Sequence, residues 1–153
     1  METVQVCPEC GAEWKYGETC QDHFYQMLFW EAENPNYGEV HHLMVLCYHP
    51  QHPSLYSPEG LHEAINLLDD FLERGLTPEQ VRKRNRSALN SSTRTWKITG
   101  TPTSYGVYDH PIAWTMTAES VIDDGKHQYC DSIRSWAISV HEAIKTSQSD
   151  DEG

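Results

Sequence analysis

The chain has 153 residues, of which 38% are apolar and 22% charged, enough to bury one core of ordinary domain size. Its formal charge of −12 excludes a general binder of phosphate backbones or anionic membrane surfaces, which needs a surplus of Lys and Arg. The start METVQV lacks a positive region followed by an apolar stretch, so a soluble, cytoplasmic protein is expected.

In chain order, the first feature is CPECG at Cys7 to Gly11, followed by Cys20. Five cysteines, two of them as C-x-x-C, favour reduced, metal-ligating thiols over a disulfide framework. Zinc prefers four tetrahedral soft ligands, and a C-P-x-C-G turn offers two thiolates to one ion. Thr19 and Asp22 form a capping-box pattern that starts a helix whose apolar face holds Phe24, Met27 and Leu28 and whose end falls at Asn34, before Pro35. Cys20 then lies at a helix N-terminus, where the dipole favours the thiolate.

A second helix is expected from Gly38 to Tyr48, ending where Pro50 and Pro53 remove backbone donors. The short link to the first helix implies an antiparallel pair about 20 and 18 Å long, whose far end returns to the level of Cys20. That brings His49 and His52 beside the knuckle and leaves His41 about 12 Å away. Two candidates for the fourth ligand follow: His52, steered by the proline turn, and His23, which forms a local C-x-x-H with Cys20. Tyr48, Gln51 and Tyr56 either line a polar pocket near the metal or fix this turn.

Ser57 and Pro58 open a third helix carrying Leu61, Ala64, Ile65, Leu68, Phe71 and Leu72 before Gly75. Thr77 and Gln80 start another through VRKRNRSAL. Arg82, Lys83, Arg84, Arg86, Arg94 and Lys97 make a basic run in an acidic protein. It is either a contact for a protein or nucleic-acid partner, centred on Arg82, Arg84 and Arg86, or a solvated face. Trp96 and Ile98, with Ile112, Trp114 and Met116, alternate at period two and suggest a short late β-hairpin. A last helix over 126–146 carries Tyr129, Ile133, Trp136, Ala137, Val140 and Ile144 on one stripe. The end, 147–153, has nothing to bury and reads as a disordered acidic tail.

The expected class is mostly α: a helical bundle, one zinc-binding domain over 1–146, with an N-terminal zinc knuckle and the late hairpin. CPECGA, the HHLMVLCYHPQHPSLYSPEGL stretch and the RTWKI and WTMT pieces together resemble a bacterial domain-of-unknown-function family, from about Cys7 to Val140. Its V-H-x-L-x-V-x-x-Y-x-x-Q-H-P block falls on Val40, His41, Leu43, Val45, Tyr48, Gln51, His52 and Pro53. Relatives commonly lack a histidine at the position of His23, so the resemblance favours His52 as fourth ligand and transfers no activity.

Two functions remain in play. One is a small protein with a structural zinc that works as a binding or regulatory module. The other is a small metal-dependent enzyme using the His41 to His52 cluster, although no H-E-x-x-H, P-loop or G-x-S-x-G occurs. Cys47, between Leu46 and Tyr48, reads as core.

Overall fold

The computed structural model describes residues 5–14, 18–81, 83, 105–108, 110 and 112–149. The chain forms two compact units, one of Met1–His52 with Tyr108–Gly153 and one of Pro53–Val107. Helices dominate the described residues of both.

The first unit opens with a two-stranded antiparallel hairpin, β1 (Gln5–Val6) against β2 (Glu13–Trp14), with Gln5 opposite Trp14. Helix α1 (Cys20–Glu33) starts as its capping box dictates: the Thr19 amide donates to Asp22 Oδ2 at 2.9 Å and the Asp22 amide to Thr19 Oγ1 at 3.2 Å. It ends at Asn34 because Pro35 disfavours the helical region for the residue before it.

The expected second helix arrives in two parts, a 3₁₀ segment at Pro35–Val40 and the α-helix α2 (His41–Tyr48). Pro35 at the first position, with Asn34 accepting from the Asn36 amide, winds the link tightly before α2 begins. The two helices run in opposite directions. Phe24 near the start of α1 meets Tyr48 at the end of α2, ring centroids 4.6 Å apart, while Glu31 near the end of α1 meets His41 at the start of α2.

The second unit contains α3 (Pro58–Leu72), capped by Ser57 Oγ accepting from the Gly60 amide at 3.0 Å. Leu61, Ala64 and Leu68 form its buried face, and Gly75 follows the helix with a φ of +66°. A further helical start, α4, occupies 78–81, where Thr77 and Gln80 form the reciprocal cap at 2.8 and 3.2 Å. Gly106 donates to the Tyr56 carbonyl at 2.8 Å, and a Cβ there would sit 2.8 Å from Leu61 Cδ2. Only glycine permits that approach.

Back in the first unit, α5 (Ala118–Asp124) leads through Gly125, φ +89°, and a 3₁₀ turn at Lys126–Gln128 into α6 (Tyr129–Ser149). Here α1 packs on α5, and α2 and α5 pack on α6. The stripe Tyr129, Ile133, Trp136, Ala137 and Val140 is 0% exposed and joins Met27, Val40, Met44, Cys47 and Val121 in the core. The short hairpin described is the early one. Residues 112–116 run without regular structure, and the Trp96–Ile98 arm lies outside the described residues, as do the 150–153 part of the tail and Arg82, Arg84, Arg86, Arg94 and Lys97. No helix among the described residues is long and apolar enough to cross a membrane.

Candidate metal centre

The hairpin exists to turn two sulfurs inward. The Gly11 amide donates to the Cys7 carbonyl at 3.0 Å and the Cys7 amide to Ala12 at 2.9 Å. Gly11 holds a φ of +79°, which a side chain would strain. This tight turn brings the Cys10 amide to 3.5 Å from Cys7 Sγ. Strand β2 carries Trp14, whose indole N–H donates to Cys20 Sγ at 3.2 Å. Cys20, first residue of α1, places its sulfur 3.5 Å from Cys10 Sγ. Two sulfurs about 2.3 Å from a tetrahedral zinc would lie about 3.8 Å apart, so the spacing is close to what an ion requires.

The fourth donor comes from the turn that ends α2. The His52 amide donates to His49 O at 2.8 Å, Tyr108 Oη donates to the Pro50 carbonyl at 2.6 Å, and Gln51 Nε2 donates to Met116 O at 2.7 Å. So pinned, the turn leaves His52 Nδ1 2.6 Å from the Tyr48 carbonyl, with its ring 4.3 Å from the Tyr48 ring. A carbonyl only accepts, so Nδ1 carries a proton, and Nε2 is the nitrogen an ion would take, displacing the proton it holds in the bare cluster. That Nε2 is buried without a hydrogen-bond partner, the state expected of a ligand nitrogen waiting for an ion.

Together, the sulfurs of Cys7, Cys10 and Cys20 and a ring nitrogen of His52 all lie within 4.8 Å of one another, each residue at most 8% exposed. They are close enough to bind a metal ion. The electrostatics of the bare cluster point the same way. Hydrogen bonds from Cys10 and Cys20 hold the Cys7 thiol below its usual range, while facing Cys20 and Cys7 pushes Cys10 up. Burial pulls His52 down, but the Cys20 and Cys7 sulfurs and the Tyr48 carbonyl outweigh it, leaving it at about 10. Three thiolates buried together would need a cation between them, and a divalent ion would supply that charge.

His23 sits elsewhere. Although only 5% exposed and one turn after Cys20, it is outside the cluster, its Nε2 3.7 Å from Glu18 Oε2. His41 Nδ1 meets Glu31 Oε1 at 2.6 Å, and the Tyr129 hydroxyl donates to the other oxygen of the same carboxylate. Burial, then His41, lowers the pKa of His42; burial, then His52, lowers that of His49, which stacks on Phe24 at 6.0 Å. Among the described residues, no cluster fit for a metal includes His41, His42 or His49. Cys47 is fully buried and its thiol pushed up by that burial, as befits a core residue. Sequence reasoning missed three supporting groups, the Trp14 indole, Glu31 and the Met116 carbonyl; no local spacing links them to their partners.

No curated protein and no solved structure matches this chain. Residues 5–145 do match the family of unknown function DUF5946, nearly the full length, and the chain belongs to that family.

Proposed function

We propose that Cys7, Cys10, Cys20 and His52 hold a zinc ion as a structural brace, and that the folded protein works as a binding or regulatory module. The observation that carries this reading is a set of four protein donors, three soft and one borderline, each at most 8% exposed. Catalytic zinc keeps a position for water, whereas four protein ligands close the tetrahedron. The zinc would tie the hairpin, the start of α1 and the end of α2 into one corner. Elemental analysis of protein prepared reduced and without chelator should find one zinc per chain. Melting should fall sharply after EDTA; absence of metal and identical melts would refute the brace.

The partner contact is assigned to the basic run at Arg82, Arg84 and Arg86, the exception in a chain of charge −12. Reversing those three charges should abolish capture of a protein or nucleic-acid partner from lysate. Unchanged capture would remove the run from the interface.

A second reading, a metal-dependent enzyme using His41 to His52, draws on one observation: the Glu31 carboxylate grips His41 Nδ1, the arrangement that orients a catalytic or ligating imidazole. It requires a second metal per chain, so the same elemental analysis separates the two.

A further inference from the structure

A cleft of about 580 Å³ opens between α1 and α5, lined by Glu18, Asp22, His23, Gln26, Trp30 and Ile122 and by none of the four residues of the cysteine cluster. We propose that it binds an organic cation, a guanidinium or alkylammonium group, through Glu18 and Asp22 with the Trp30 ring as a wall.

Four observations support this. Glu18 and Asp22 are both exposed and bring two carboxyl groups to the cleft, with Asp22 Oδ2 fixed by the Thr19 amide at 2.9 Å and hydroxyl at 3.1 Å. Between them sits His23, only 5% exposed, whose Nδ1 is buried and has no hydrogen-bond partner and whose Nε2 has only a 3.7 Å approach to Glu18. A buried ring nitrogen left without a partner is costly; that atom is shut off from solvent, so a ligand donor reaches it through a turn of the His23 ring toward the cleft that the ring lines. Trp30 stands edge-on to Tyr129 at 6.0 Å, which holds its indole in place for a cation. Anions are repelled from such a cleft. The donor atoms of Glu18, Asp22 and His23 do not form one of the metal-sized clusters found among the described residues, which argues against a bare ion.

On the same helix as most of the lining, Tyr25 and Phe29 stand four residues apart, 56% and 58% exposed. They would extend the contact along a chain carrying the cation, so an Arg or Lys side chain of a peptide is one source and a free diamine the other. The inference does not rest on the metal reading.

The test uses the full chain as purified, followed by NMR at the Gln26 side-chain amide and the Trp30 indole. Agmatine is one probe, an acetylated Arg-containing peptide the second, and the same peptide with citrulline the neutral control. Saturable shifts with either cationic probe at up to about 10 mM, absent with citrulline, support the site. Tighter binding of the peptide by about tenfold or more identifies a partner side chain, and comparable binding identifies a small amine. Glu18→Gln should weaken binding about threefold, and Gln26→Lys, which puts a cation in the cleft permanently, should abolish it. Both positions are exposed, and unchanged melting of the variants confirms the fold. No saturation with either cation, equal binding of citrulline, or full affinity in Gln26→Lys overturns the proposal.

Discussion

His52 and His41 begin alike: each gives Nδ1 to an oxygen 2.6 Å away, the Tyr48 carbonyl in one case and the Glu31 carboxylate in the other. They differ in the surroundings of the second nitrogen. His52 Nε2 is buried without a hydrogen-bond partner in a corner that also holds three thiols; the His41 side chain is 48% exposed on α2. The contrast shows that histidine count and spacing do not by themselves bring metal donors together. Convergence does, and it comes from a turn pinned on several sides.

The comparison breaks first at the sulfurs. A structural zinc contributes about 10–16 kcal/mol against a whole-domain stability of about 5–15, so Cys20→Ser should leave no stoichiometric metal and no cooperative melt of the first unit. Circular dichroism and elemental analysis would show it. His52→Ala should keep the thiols but weaken zinc at least about 100-fold in a chelator competition, more than loss of an outer partner usually costs. His23→Ala, by contrast, should retain one zinc per chain.

Smaller effects sharpen the picture. Trp14→Phe removes the indole donor to Cys20 Sγ, and competition should show zinc affinity down about tenfold with the fold intact. His41→Ala breaks a half-exposed pair with Glu31, and denaturant unfolding should report a loss of about 1 kcal/mol with metal content unchanged.

Much of this was legible because its causes are local. Thr19 with Asp22, Ser57 with Pro58, and Thr77 with Gln80 announce helix starts within four residues, and the structure makes those caps. The C-P-x-C-G turn likewise carries its geometry in its own glycine. His52 needed one longer step, the return of an antiparallel helix, and the Phe24–Tyr48 contact shows the two helices meeting there.

What the sequence concealed depends on distant partners. The alternation of Ile112, Trp114 and Met116 looks like a strand, yet this stretch runs irregularly, with the Met116 carbonyl accepting from Gln51, 65 residues away. Helix α5, only 7 residues long, is too short to show a helical repeat in the sequence. Its signal was present in Thr117 and Ser120, where the Thr117 amide donates to Ser120 Oγ at 3.1 Å, and Gly125 separates it from α6. The helix expected from Gly38 to Tyr48 runs the end of the 3₁₀ segment Pro35–Val40 into α2, because Val40 continues the apolar spacing of Leu43, Met44 and Cys47.

Zinc-edge X-ray absorption on the protein as purified tests the central claim most directly. Three sulfur scatterers at about 2.3 Å and one nitrogen at about 2.0 Å are expected. A shell of oxygen and nitrogen alone, or a water in place of the imidazole, would contradict the closed corner built from Cys7, Cys10, Cys20 and His52.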